Sequence, residues 1–378
     1  MAKRRGNNEG TIYQRKDGLW CAQISLNGRR LTQYGKSQTE CRLWIKQMLA
    51  RIDQGLTYDS TQVTLDRFVE NWLNGKELAR RPKTVIQYRQ VVQQHILPFL
   101  GRMRLQEIQP VHIQKLYSIK KEEGRGARTI QLIHAILHNI LKQAEREGIL
   151  SHNSVDAVER PKVEQAEMQI LNEEQIRQFL SAASGSPFET VYYLALTTGM
   201  RASELLGLKW SDVDGKKSTL FVHRQMQYIA GQGYIFSQPK TQAGRRQIKV
   251  GASTLKELEA HRNRQSIQKS IAGERWQEND LIFPTTIGTP LDYKRVTKEF
   301  KRLLKRAGLP EIRFHDLRHT SLNTLMEMGL PVNTVQRRAG HTRASTTVDI
   351  YGHATAQSLE EAAEKIEELI TRESVELQ

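Results

Sequence analysis

The apolar pattern changes period twice along this chain, and each change restricts what the segment can become. From Gly10 to Gly35, short β-prone runs are separated by Asp17-Gly18 and Asn27-Gly28. Asp-Gly and Asn-Gly between such runs mark tight hairpin turns, so this segment reads as three strands. Ser37, with Glu40 three residues on, forms a capping box that opens a helix after them. From residue 62 the period becomes helical. Leu65, Phe68, Val69, Trp72 and Leu73 recur at i, i+3, i+4, i+7 and i+8. A second helix runs from Pro82 through Val85, Tyr88, Val92 and Ile96 and is expected to stop near Pro98. A third follows Pro110, and a fourth carries Ile130, Ile133, Leu137, Ile140, Leu141 and Ala144 before closing at Gly148. Four helices in this span make a compact bundle. The stretch from Asp156 to Gln169 is polar, contains Pro161 and has no period, as a linker does. Beyond it, Asn172 caps a helix and the pattern becomes mixed.

The 378 residues suffice for two or three domains with cores of their own. No run approaches the length of a spanning helix, and Met1 to Arg5 carries charge without the apolar stretch of a secretory leader. Two cysteines, Cys21 and Cys41, make no disulfide framework and point to a reducing, cytoplasmic setting. The formal charge of +16 implies a polyanionic partner, with nucleic acid the default. It is spread in blocks: residues 1–60 hold 11 basic and 5 acidic side chains, 61–160 hold 16 and 10, and 161–356 hold 28 and 19. Residues 357–378, with 2 basic and 7 acidic, form an acidic tail bearing an amphipathic stripe from Leu359 to Ile370.

Candidate DNA contacts follow from this distribution. Arg15, Lys16, Arg29 and Arg30 sit near the turns of the three-stranded segment, where a basic sheet face can lie in a groove. Lys83, Arg89, Arg125 and Arg128 fall near helix ends and loops of the bundle, positions suited to phosphate. A solvated basic surface explains the first four equally well and is the commoner explanation for any one of the bundle residues.

The C-terminal half holds several short motifs. In TGMRASELLGLKW, Gly199 ends an apolar helix over 188–197 and Arg201 emerges at the next turn, where a guanidinium can clamp a phosphate or form an ordinary ion pair. Lys240 follows the β-prone run Tyr234 to Gln238, and the run Arg246 to Val250 comes after it. The two runs are expected to form a hairpin with Lys240 near its tip. His315-Asp316-Leu317-Arg318-His319-Thr320 opens a helix whose i, i+3 spacing sets His315 and Arg318 on one face. The i, i+4 pair His315 and His319 lacks the glutamate of a zinc helix, and no metal site is expected. Gly340-His341 is followed ten residues later by Tyr351, in IYGH.

Arg201, Lys240, His315-x-x-Arg318, Gly340-His341 and Tyr351, in this order, resemble the catalytic set of the tyrosine recombinases, the phage-integrase family. Their flanking strings match as well. The resemblance covers the last 200 or so residues strongly and the bundle more weakly, and the first 55 are similar to arm-binding modules of temperate-phage and conjugative-transposon integrases. Ala339, where leucine is usual, and Asn153-Ser154, where Asn-Pro is common, depart from the pattern. The resemblance implies a multidomain chain: a small α+β arm-type module at 1–58, an all-α core-binding (SAM-like) domain at 62–155, a linker at 156–169, and a mainly α catalytic domain with a small antiparallel sheet at 170–378. It implies site-specific recombination of double-stranded DNA through a 3′-phosphotyrosyl intermediate, integrating or excising a mobile element or prophage. Tyr351 would be the nucleophile, Arg201, Arg318 and His341 would hold the phosphate, His315 would be the base, and Lys240 would protonate the leaving oxygen. No cofactor, ATP or metal is required by that chemistry. The implied partners are attachment-site DNA, further copies in a homotetramer, a host DNA-bending protein and a directionality factor, with no membrane. A type IB topoisomerase, which shares the chemistry, and a non-catalytic DNA-binding protein of the same fold remain as alternatives.

Overall fold

The computed structural model describes residues 10–26, 29–53, 62–163, 169–239 and 241–342. Their contacts divide the chain into two units, residues 1–165 and 166–378. No helix among the described residues is long and apolar enough to cross a membrane.

The first unit begins with an antiparallel sheet in the order β1 (Thr11–Gln14), β2 (Trp20–Leu26), β3 (Arg29–Gly35), followed by α1 (Gln38–Asp53). The turn before β2 is closed by a Gly18 N–H bond to the Arg15 carbonyl, with Gly18 in the left-handed region at φ +86. The second expected turn, Asn27-Gly28, lies outside the described residues. Ser37 Oγ accepts from Glu40 N at 3.2 Å as the capping box requires, but Glu40 reaches back to Lys36 N instead. Ala22, Cys41 and Ile45 form the small core between sheet and helix.

Helices α2 (Leu65–Ala79), α3 (Pro82–Val91), α4 (Leu97–Leu100), α5 (Pro110–Glu122) and α6 (Ala127–Arg146) follow. The stripes Leu65 to Leu73 and Ile130 to Ala144 read from the sequence are buried along their whole length. Pro98 does not stop the second helix as expected. A π turn at Val92–Ile96 joins α3 to α4, and the Leu97 N–H bonds back to the Val92 carbonyl. Pro98 falls in the first turn of α4, where its missing N–H costs nothing. Asn153, at the departure from Asn-Pro, caps a 3-10 turn, and Ser154 Oγ donates to the Ile108 carbonyl at 2.5 Å.

The second unit contains α7 (Glu173–Ala183), α8 (Glu189–Thr198), the short α9 (Ala202–Leu205), α10 (Ala252–Ala272), α11 (Tyr293–Arg306), α12 (Asp316–Glu327) and α13 (Val332–Ala339). Tyr192 stands at the centre of its core, with Phe179, Phe300 and Phe314 at ring distances of 5.5, 5.7 and 6.0 Å. Its hydroxyl donates to the Val296 carbonyl, which satisfies the one polar atom of a fully buried ring.

The strands of this unit correct one expectation. β7 (Gly233–Ser237) pairs with β6 (Gln225–Ile229), whereas β8 (Arg246–Lys249) pairs with β5 (Thr219–Val222), itself beside β4 (Val213–Asp214). The runs on either side of Lys240 therefore belong to two sheets and form no common hairpin. Leu220 and Ile248, opposite one another across β5 and β8, are both buried in the main core. Burying that pair fixes the register of β8, and Gly231 and Gly233, both at positive φ, return β7 onto β6.

Candidate active site

Two helices end in left-handed glycines, and the site is built between them. Gly199, at φ +63, closes α8, and Gly340, at φ +68, closes α13. Such ends turn backbone carbonyls away from the helix and leave them in need of donors. Arg318, on the first turn of α12 and only 3% exposed, supplies them. Its Nη1 donates to the Gly199 carbonyl at 2.5 Å, its Nη2 to the Ala339 carbonyl at 2.6 Å, and His341 Nε2 lies 3.0 Å from Nη2. Ala339, the second departure from the family pattern, is fully buried where its carbonyl meets this guanidinium.

Arg201 caps α9 and keeps about a third of its side chain exposed. Glu204, buried to 2%, takes the Arg201 backbone N–H at 3.0 Å and Nη1 at 2.9 Å. The other arm, Nη2, donates to the Gly340 carbonyl at 3.3 Å. Burial alone would push the Glu204 carboxyl up, but Arg246 first and Arg201 second outweigh it and hold it below the usual range. The guanidiniums of Arg201 and Arg318 thus reach neighbouring carbonyls, those of Gly340 and Ala339.

His315 sits at the N-terminus of α12 with an exposed edge, and its ring meets His319 edge-on at 5.1 Å. Burial of the rest of the ring, then Arg318, disfavours the charged form and lowers its pKa. Burial and the neighbouring cations push His319 and His341 down further, each to about 4. All three are neutral at pH 7. A neutral imidazole beside two guanidiniums can accept a proton while the cations hold an anion.

The structure thus gathers Arg201, Arg318 and His341, with His315 close enough to feel both arginines. Lys240 and Tyr351 lie outside the described residues, as does the acidic tail. Glu204 and Arg246 are the members that sequence reading missed. Glu204 could have been found, because it stands three residues after an N-cap, the capping-box position. Arg246 has no local signal. Of the candidate DNA contacts, Lys16, Arg30, Lys83, Arg125 and Arg128 are exposed. Arg15 pairs with Asp17 at 3.2 Å and Arg89 with Glu77 at 2.7 Å, and the Arg29 side chain lies outside the described residues.

Residues 169–358 match the model of the phage integrase family, and residues 64–120 match the N-terminal SAM-like domain of phage integrases. A tyrosine recombinase XerC-like protein of Caldanaerobacter subterraneus is 30% identical, over 91% of this chain and 93% of its own length. The ICEBs1 integrase of Bacillus subtilis is 27% identical over 82% of this chain and 84% of its own. Among solved structures, the Tn1549 transposon integrase in complex with a circular intermediate DNA superposes with a TM-score of 0.68 at 21% identity, covering 80% of this chain and 99% of that one. A lambda integrase tetramer bound to a Holliday junction gives 0.57 at 23% identity, covering 93% and 99%. The chain belongs to the phage integrase family. It is a tyrosine recombinase, an enzyme that cleaves and rejoins DNA site-specifically.

Proposed function

We propose that this recombinase integrates or excises a mobile element or prophage by transferring DNA strands through Tyr351. The observation that carries the residue assignment is the convergence of Arg201, Arg318 and His341 on the two left-handed helix ends, with neutral His315 beside them. In the first step Tyr351 Oη attacks the scissile phosphorus and its proton passes to His315. The bond from phosphorus to the 5′ oxygen breaks, and Lys240 gives that oxygen a proton. The product is a 3′-phosphotyrosine and a free 5′-hydroxyl, and attack by a second 5′-hydroxyl reverses the same steps. Arg201 and Arg318 neutralise the charge on the non-bridging oxygens. One such preorganised donor is typically worth about 3–4 kcal/mol.

Residues 1–58 serve as the arm-type DNA module, 62–155 as the core-binding domain and 156–169 as the linker, with catalysis in 170–378. The related lambda integrase, seen as a tetramer on a Holliday junction, supports a tetramer of this chain on its attachment sites. A host bending protein and a directionality factor fit the same reaction, and the reaction belongs in the cytoplasm, where the chromosome lies.

The test is a suicide duplex, nicked beside the cleavage site so that the leaving strand diffuses away. Wild-type protein should leave a denaturant-resistant protein–DNA adduct, and Tyr351→Phe should bind the duplex yet leave none. An adduct with Tyr351→Phe removes the nucleophile assignment. Relaxation of supercoils with no strand exchange between two sites favours the topoisomerase reading.

A further inference from the structure

Arg246 opens β8 with its side chain 6% exposed, too deep to reach DNA, and each nitrogen of its guanidinium has a task. Nη2 pairs with Glu204 Oε2 at 2.9 Å. Nε donates to the Arg338 carbonyl at 2.6 Å, and Nη1 to the Gly244 carbonyl at 3.2 Å. These partners come from three separate stretches of chain, and each stretch leads to the site. Glu204 holds Arg201 through its other carboxylate oxygen. Arg338 lies two residues before Gly340, whose carbonyl takes the far arm of Arg201. Gly244 closes the 3-10 turn that follows Lys240 in the chain.

A lysine has one nitrogen and cannot serve three directions in a plane, whereas the guanidinium fork can. The fit is close: a Cβ on Gly340 would stand 2.9 Å from Arg246 Nη1 and 2.9 Å from the Ala243 carbonyl. A residue needed only to neutralise Glu204 would not require bonds to two further backbone segments, both flanking residues assigned to the reaction.

We propose that Arg246 is a positioning residue for strand cleavage. Through Glu204 it fixes the Arg201 guanidinium against the scissile phosphate, and through the Gly244 and Arg338 carbonyls it ties the Gln242–Gly244 turn to the end of α13 that leads into His341. The proposal rests on the reading of Arg201 as a phosphate clamp. Arg246 touches neither DNA nor the reacting atoms, so its loss should appear in the rate of cleavage and not in affinity.

The experiment measures single-turnover adduct formation at saturating protein, on a nicked duplex whose cleavage site has first been located by footprinting the wild-type chain on DNA flanking its gene. Wild type, R246Q, R246K, E204Q and the double variant E204Q/R246Q are compared, with affinity for the same duplex measured by mobility shift. R246Q should slow cleavage on the order of 10²-fold, the usual consequence of misplacing a reacting group by about an ångström, with affinity unchanged. R246K should recover only part of the rate. The double variant should be no slower than the slower single variant, because both remove one chain of interactions. A duplex with a methylphosphonate at the scissile position separates positioning from general loosening. Its neutral phosphorus group needs less help from Arg201, so the R246Q deficit should shrink there. Equal rates for R246Q and wild type, a deficit undiminished on the methylphosphonate, or a loss that tracks affinity each overturns the proposal. If R246Q does not fold, R246K and E204Q carry the same comparison between the two duplexes. A wild-type chain that forms no adduct overturns the reading of the active site, and this one with it.

Discussion

Arg318 bonds the Ala339 carbonyl at 2.6 Å while its neighbouring partner, His341 Nε2, lies 3.0 Å from the same nitrogen. With Nη1 on the Gly199 carbonyl, one guanidinium closes the C-terminal ends of two helices, α8 and α13. Helix C-termini carry partial negative charge, so a cation there is stabilised before any DNA arrives. The same side chain therefore holds two helix ends and, in the proposed reaction, would also hold the phosphate, and these two roles can be separated by substitution.

Arg318→Lys should keep the charge and lose the fork. The two carbonyls are bonded by different nitrogens of one rigid fork, and a single ammonium in their place should leave a buried acceptor poorly bonded, so the second unit should lose about 1–3 kcal/mol of stability. Adduct formation should fall on the order of 10²–10³-fold, as for removal of a preorganised oxyanion donor. Thermal melting and single-turnover cleavage of the variant read the two effects independently. A variant that melts early yet cleaves at the wild-type rate would remove Arg318 from the chemistry.

His319 and His341 both titrate near 4 in the folded chain, against about 6.5 for a free imidazole. Between these values the unfolded chain binds protons that the folded one refuses. Stability is therefore full above about pH 6.5 and falls as the pH drops toward 4. Each histidine contributes on the order of 1–3 kcal/mol to that loss. Thermal midpoints of the second unit measured from pH 7.5 to 4.5 should decline across this window, and His341→Gln should flatten the decline. The lowered pKa of His315 would extend its proposed role as base to the acidic side of neutrality, so cleavage should hold its rate to below pH 6.5. A rate that drops by half at or above that pH contradicts the neutral-base assignment.

Gly340→Ala tests the approach of three elements at one point. The residue holds φ +68, which a side chain occupies at a cost of about 1 kcal/mol. The added Cβ would also sit 2.9 Å from both the Ala243 carbonyl and Arg246 Nη1. Relief of that overlap must move α13 or β8, so the total loss should reach about 2–4 kcal/mol. Because His341 follows directly, cleavage should fall more steeply than the melting temperature suggests. Gly199→Ala meets only side chains, Leu322 at 3.2 Å and Ser321 at 3.3 Å, and should cost less. Urea unfolding of the two variants settles the order.

The sequence was most readable where one residue's neighbours along the chain determine its environment. Leu65 to Leu73 and Ile130 to Ala144 are buried as their spacing requires, and Gly199 ends α8 in the left-handed conformation because only glycine adopts it cheaply. What stayed hidden depends on partners distant in sequence. The pairing of β8 with β5 is decided by Leu220 against Ile248, and nothing near Lys240 announces it. Arg246 carries the same lesson, since its partners Glu204 and Arg338 lie 42 and 92 residues away. Pro98 misled for a local reason: a π turn set a helix start where a helix end was expected.

The N-terminal sheet turns one of its faces to α1. Antiparallel partners share a face, and Tyr13, Cys21 and Tyr34 align across the three strands, as do Ser25 and Arg30 across two. Ala22, which packs on α1, belongs to the opposite face. Arg30 and the half-exposed Tyr13 and Tyr34 therefore share the face that no helix covers among the described residues, with the Arg15 guanidinium 4.8 Å above the Tyr34 ring. A cation and aromatic rings on an open sheet suit a groove-lying reader. With residues 1–58 acting as the proposed arm-type module, Arg30→Ala should weaken binding to long attachment-site DNA and lower the log–log salt dependence by about 0.9, the share of a single neutralised phosphate. Arg15→Ala should do less, because Asp17 already engages that charge. On a short duplex holding only the cleavage site, both variants should cleave at the wild-type rate, since no residue of the catalytic unit has changed. Equal salt slopes for Arg30→Ala and wild type on the long DNA would show that this face meets solvent or protein and not phosphate.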